Sequence, residues 1–196
     1  MLGAILVDNA FNKKPITKSD VSMLTMFANH AGLAIENSRL YEETVYLSNI
    51  DGLTKLWNYS KFQNIISAEI ERERIHESTL SLVMLDVDNF KNYNDTLGHV
   101  KGDMALQRIA EVLQHKSRKF DTVARYGGEE FAIIMPNTIK ENSRLFAERL
   151  RSDVERLYAD DALIDPEKRL TISAGIAAYP GDAGTKEELI SRADLS

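Results

Sequence analysis

The sequence predicts an α/β fold, a central mostly antiparallel sheet flanked by helices, with an N-terminal strand and a long connector helix ahead of it. Three observations carry this. From residue 51 onward the apolar pattern alternates as helix, strand, helix, hairpin, helix, strand, helix. Residues 80–87 are apolar at nearly every position, as in a central strand covered on both faces. Two short strand patterns meet across Gly127-Gly128, a two-residue hairpin signal that sets neighbouring strands antiparallel.

The elements follow in order. Residues 3–7 read as a short buried strand, and 8–15 as turn chemistry ending in Pro15. Ser19 or Asp20 can cap a helix over 20–49 that buries Val21, Leu24, Phe27, Ala28, Ala31 and Ala34 at three- and four-residue spacing. The periodicity continues through Ile35, Leu40, Tyr41, Val45 and Leu47, with no breaker before Gly52. Such a helix either packs on its own chain or pairs with a second copy. A further helix over 61–75 gathers Phe62, Ile65, Ile66 and Ile70 on one face. Gly102 and Asp103 start another, with Leu106, Ile109, Ala110 and Leu113 inward, while Asn94-Asp95 reads as a turn. Strands over 122–126 and 130–135, a helix over 142–158, a strand over 170–179 and a helix over 186–193 complete the order. The chain has no internal repeat and no low-complexity segment.

Composition narrows the function. The 196 residues are 43% hydrophobic and 28% charged, which leaves ample apolar surface for a core. A net charge of −6 with no Lys/Arg run argues against a nucleic-acid partner. An acidic protein still binds a polyphosphate when a divalent cation neutralises the charge locally. The absence of cysteine excludes disulfides, thiolate metal sites and a cysteine nucleophile. The apolar run 4–7 is too short for a signal sequence or a membrane span, so a cytoplasmic location without direct membrane contact is expected.

Carboxylates carry the chemistry. Asp86 closes the apolar strand and Asp88 follows two residues on; a carboxylate there sits at an exposed strand end or meets a cation, because unpaired burial is costly. A two-residue turn at Gly127-Gly128 would put Glu129 at the tip beside Tyr126, with Glu130 next along the ladder. Asp86 and Glu129 could then converge on one hard cation such as Mg2+. The glycines would let the backbone approach a nucleotide closely. The plainer alternative is an ordinary turn with solvated glutamates, and Asp103 as a simple helix cap.

These residues resemble a known family. Residues 51–194 are similar, in motif content and order, to the GGDEF domain of bacterial diguanylate cyclases. The signature stands as Arg125-Tyr126-Gly127-Gly128-Glu129-Glu130-Phe131, with glutamate in the family's variable Asp/Glu position. Asp51-Gly52-Leu53-Thr54 and Leu56-Trp57-Asn58 resemble its opening motif. Asp86-Val87-Asp88-Asn89-Phe90-Lys91, Asn94-Asp95-Thr96-Leu97-Gly98-His99 and Gly102-Asp103 resemble its nucleotide segment. Thr171-Ile172-Ser173-Ala174-Gly175-Ile176-Ala177 resembles its late strand.

The resemblance implies a fold similar to the palm of nucleotidyl cyclases and polymerases. It implies a reaction in which two GTP molecules become cyclic di-GMP and two pyrophosphates across a homodimer. By the same resemblance Asp86, Glu129 and Glu130 are catalytic, and Asp86, Glu129 and the Val87 carbonyl hold Mg2+ (or Mn2+). Asn94 and Asp103 read the guanine edge, a carboxylate suiting its N1 and N2 donors. The Asn89 and Phe90 amides face the phosphates, and Lys91, His99 and Gly128 complete the GTP-binding set. Arg118-Lys119-Phe120-Asp121 stands at the spacing of the family's product-inhibition site, with Arg149 as a secondary arginine for cyclic di-GMP; without the resemblance it would read as a surface loop. Residues 1–40, through Pro15-Ile16-Thr17 and Ala34-Ile35-Glu36-Asn37, resemble the end of a GAF sensor domain. Residues 36–50 then form a helical connector, and 51–196 the cyclase domain. The family continues past this point with a helix carrying basic residues for the triphosphate. That implies a piece of a longer protein and weaker triphosphate affinity for the chain as it stands.

Overall fold

The computed structural model describes residues 4–6, 8, 13, 15–159 and 169–194, in two compact units, Met1–Ser48 and Asn49–Ser196. The first unit holds helix α1 (Lys18–Ser48). Its cap is Thr17, one turn earlier than the expected Ser19 or Asp20. The Asp20 carboxylate accepts from the Thr17 amide and hydroxyl, and the Asp20 amide donates to the Thr17 hydroxyl. That reciprocal pairing satisfies donors a helix start leaves open. The strand expected over 3–7 does not form at Ala4, Ile5 or Leu6, because a strand exists only through a ladder to a neighbour; Gly3, Val7 and most of the turn 8–15 lie outside the described residues. No residue of α1 is buried. Val21 and Phe27, expected to face inward, are exposed within the single chain, Phe27 at 63%.

The second unit reads α2 (Tyr59–His76), β1 (Leu80–Val87), α3 (Phe90–Leu97), α4 (His99–Lys116), β2 (Thr122–Arg125), β3 (Glu130–Pro136), α5 (Lys140–Ala159), β4 (Ile172–Tyr179) and α6 (Lys186–Asp194). The Asn58 side chain caps α2 by accepting from the Lys61 amide. The sheet is antiparallel throughout in the order β2-β3-β1-β4, so the most apolar strand, β1, lies inside it.

Alternation along β1 splits the core in two. Val83, Leu85 and Val87 join Leu106, Ile109 and Leu113 of α4 and Leu150 and Val154 of α5 on one face. Leu80, Leu82 and Met84 meet Phe62 and Ile66 of α2 and Leu189 of α6 on the other. The period of two in a strand and the three-to-four spacing in a helix meet here as two packed layers.

Two local expectations are corrected. Asn94-Asp95 is helical, within α3: Phe90 and Tyr93 are three apart, both buried, and stack at 6.4 Å, while Gly98 at φ 85° ends the helix. Asp103 consequently lies a full turn inside α4 and is not its cap. The hairpin loop has three residues, Gly127, Gly128 and Glu129: Tyr126 faces Glu130 and not Glu129, its amide donating to the Glu130 carbonyl at 2.8 Å. Glu129 therefore belongs to the loop and Glu130 takes the place beside Tyr126.

Candidate active site

The acidic residues gather where β1 and β3 end. Asp86 lies directly opposite Glu130 on one side and Ser173 of β4 on the other. Paired residues share a face, so all three project from the side that α6 covers. An open groove of about 70 Å³ runs there, lined by Asp86, Glu130, Ser173, Met84, Ala193 and Asp194. Partial burial, then the charges of Glu129, Asp88 and Asp194, raise the Asp86 carboxyl above the usual range. Burial and the charges of Asp86, Asp194 and Glu129 do the same for Glu130. Both groups are held in a state that favours a proton or a cation. Asp194 was not legible as a member of this group; its only sequence signal was its place at the end of an amphipathic helix.

The turn after β1 is built next to these acids. Val87 is buried, its side chain in the core. The Asp88 amide donates to the Thr171 carbonyl at 2.9 Å. Asn89 adopts the left-handed region at φ 56°, which asparagine tolerates better than most residues, and leads into Phe90 at the first turn of α3. Lys91 and His99 are exposed on the first turns of α3 and α4.

One turn further on, the Asn94 side-chain oxygen is buried and has no hydrogen-bond partner. It sits against Gly102, where any Cβ would collide with it. A buried acceptor without a donor is costly, so this position is suited to a ligand that supplies one. Asp103 stands exposed on the residue after Gly102.

The hairpin is tied down by Arg125. Its Nε and Nη2 donate to the Gly128 carbonyl at 3.1 and 2.7 Å, and Nη1 reaches Asp51 at 3.1 Å. Asp51 also accepts from the Thr54 amide and hydroxyl at 2.8 and 2.7 Å. Burial works to raise the Asp51 carboxyl, but the Thr54 bonds and the Arg125 charge outweigh it, leaving it below the usual range. The Arg125 amide and the Val123 carbonyl bond to Trp57, closing the β2 edge. A Cβ at Gly127 would strike the Glu130 carboxylate, whereas one at Gly128 would point into open space. The opening motif and the signature are thus one supporting unit, which their separation in sequence concealed.

Arg118 and Asp121 close a turn: the Asp121 amide donates to the Arg118 carbonyl at 3.0 Å, and the Arg118 amide to the Asp121 carboxylate at 2.8 Å. Burial raises the Asp121 carboxyl, against the Arg118 amide bond and charge, which lower it. The turn presents the Arg118 side chain and Phe120, 80% exposed, outward. Arg149 on α5 lies over the Phe146 ring at 6.0 Å.

The donor set fits a hard divalent cation. Asp86 and Glu130 carry raised carboxyls whose repulsion a cation would relieve, and Glu129 contributes the largest of the charges on Asp86. Among the described residues no three acidic or imidazole side chains form a ready-made cage. An ion held by one or two carboxylates, water and phosphate oxygens needs none.

Known proteins resemble this chain in sequence and fold. The family model described as diguanylate cyclase, GGDEF domain, matches residues 48–196. Diguanylate cyclase A of Treponema denticola is 33% identical over 199 residues, covering 99% of this chain and 52% of its own length. Response regulator PleD of Caulobacter vibrioides is 35% identical over 153 residues, covering 78% and 34%. The chain thus spans about half of these curated relatives or less. The crystal structure of the coiled coil and GGDEF domain of DgcB from Caulobacter crescentus, in complex with c-di-GMP, superposes with a TM-score of 0.78 at 27% identity, covering 89% of this chain and 91% of that one. With three quarters of its length matched by the model, the chain belongs to the GGDEF diguanylate cyclase family.

Proposed function

We propose that the chain is the catalytic portion of a diguanylate cyclase, which joins two GTP molecules into cyclic di-GMP and two pyrophosphates. The observation that carries this is the convergence of Asp86, Glu129 and Glu130 at one end of the sheet, with the carboxyls of Asp86 and Glu130 raised. Each 3′-hydroxyl gives up its proton and bonds to the other nucleotide's α-phosphorus as the α–β anhydride bond breaks. Two such steps close the ring. Asp86, Glu129 and the Val87 carbonyl would hold Mg2+ or Mn2+, whose charge neutralises phosphate oxygens. Glu130, with its raised carboxyl, is suited to receive the hydroxyl proton. The unpartnered Asn94 oxygen and Asp103 would accept from guanine, which offers adjacent N1 and N2 donors. The amides of Asn89 and Phe90, with Lys91, His99 and Gly128, would line the rest of the nucleotide. Positioning and charge neutralisation would then supply most of the rate.

One such site holds one GTP, so two protomers must face each other. The exposed apolar residues of α1 support pairing through that helix as a homodimer. Residues 1–40 would be the end of a GAF-type sensor that feeds the connector over 36–50, ahead of the cyclase domain over 51–196. The outward Arg118, with Asp121 and Arg149, would bind cyclic di-GMP as an inhibiting product. No helix among the described residues is long and apolar enough to cross a membrane; we place the domain in the cytoplasm, where GTP is available.

The test is incubation of the full chain with GTP and Mg2+, with mass spectrometry for cyclic di-GMP. Asp86→Ala and Glu129→Ala are expected to abolish product while the circular-dichroism spectrum stays unchanged. Cyclic di-GMP binding without turnover by the folded, dimeric wild type would instead identify a silent signalling module.

A further inference from the structure

Asp88 stands two residues beyond the proposed metal ligand Asp86, yet its carboxylate is engaged elsewhere. One oxygen accepts from the Thr171 hydroxyl at 2.5 Å and the other from the Ser173 hydroxyl at 2.6 Å. Its own amide donates to the Thr171 carbonyl at 2.9 Å. These three bonds join Asp88, the residue after β1, to Thr171, just before β4, and to Ser173, the second residue of β4. The next residue, Asn89, is in the left-handed region, and its carbonyl accepts the Tyr93 amide at 3.1 Å to begin α3. A left-handed residue other than glycine persists where its surroundings over-determine it. The buried Val87 on one side and Phe90 on the other leave Asp88 as the polar anchor between them.

We infer that Asp88 is a positioning residue. Its carboxylate latches the β1–α3 turn to Thr171 and Ser173, holding the Asn89 and Phe90 amides where nucleotide phosphates bind. The nucleotide half of this inference rests on the cyclase reading; the latch itself does not. Hydroxyl donors to a carboxylate make short, charge-assisted bonds, and two from alternate residues, Thr171 just before β4 and Ser173 within it, fix its orientation as well as its place. The chemistry also separates a latch from a charge. Asparagine keeps the latch without the charge, because its oxygen accepts from one hydroxyl while its amide donates to the other.

The experiment compares Asp88→Ala, Asp88→Asn and the double variant Thr171→Val/Ser173→Ala with the wild-type chain. Two readouts are taken: NMR hydrogen exchange at the amides of residue 88 and Tyr93, and GTP affinity by titration with Mg2+ present. The latch predicts faster exchange at both amides, and GTP affinity weaker by about tenfold, in Asp88→Ala and in the double variant. Asp88→Asn should stay near wild type in both. Equal losses in Asp88→Asn and Asp88→Ala, with the double variant unaffected, would overturn the latch in favour of a charge effect at the metal. Unchanged exchange in Asp88→Ala would overturn it as well, and faster exchange with unchanged GTP affinity would overturn its role toward the nucleotide. A wild-type chain that binds no GTP would count against the cyclase reading, while the exchange result still decides the latch.

Discussion

Asp86 and Asp51 are both carboxylates near the hairpin, and their surroundings drive them in opposite directions. Partial burial and then Glu129 and its acidic neighbours raise Asp86, so as the pH falls through its folded value the native state gains relative to the unfolded chain. Asp51 is lowered on balance, because the Thr54 bonds and Arg125 outweigh its burial. Its contribution is full above the ordinary aspartate range and is lost as the pH falls through the lowered folded value. Removing Arg125 should expose the difference. Arg125→Ala leaves Asp51 half-buried without its cation and the Gly128 carbonyl without two donors. It is expected to lower stability by about 2 kcal/mol in urea titrations at neutral pH. The loss should shrink as the pH falls through the lowered folded value of Asp51, below which Asp51 is protonated in both proteins.

At the scale of elements, α3 and α4 meet at Gly102 and Asn94, and the contact works only without a Cβ. Gly102→Ala would drive a methyl group into the Asn94 side chain, and the ring of Phe90 stands at 3.1 Å behind it. Asn94 must swing away or the helices must separate. Helix propensity alone would favour alanine here by about 1 kcal/mol, so a destabilised protein would show that the collision outweighs the backbone term. The expected outcome is a lower melting temperature together with weaker GTP binding, read by calorimetry. A more stable variant with unchanged binding would remove Asn94 from the proposed guanine site.

For the whole molecule the decisive surface is α1. A helix of 31 residues with none buried exposes Phe27 at 63% and Tyr41 at 72%. Apolar area of that extent is the mark of an interface. Pairing of two chains along α1 predicts that Phe27→Glu/Tyr41→Glu turns a dimer into a monomer by light scattering. The variant should still bind GTP, since no proposed site residue lies on α1, but its turnover should fall by about tenfold or more. A wild-type chain that is monomeric at assay concentrations would refute pairing through this helix.

Periodicity alone determined a good part of this protein. The apolar run 80–87 is β1 at its stated limits, and the spacing of Phe62 and Ile66 marks the buried face of α2. The motif order identified the family, and with it the residues to watch. Other features depend on partners far along the chain, and only the tertiary structure decided them. The hairpin gained a third loop residue because the ladder pairs Tyr126 with Glu130, which set Glu130 opposite Asp86. The segment 90–97 became a helix through the stacking of Phe90 on Tyr93, where local turn chemistry pointed otherwise. Asp194, Arg125 and Asp88 took their places through charges and hydrogen bonds spanning 74 to 108 residues, and no local pattern records such contacts. Local propensity specifies which elements form; which side chains face each other across them is set by packing, where sequence distance no longer counts.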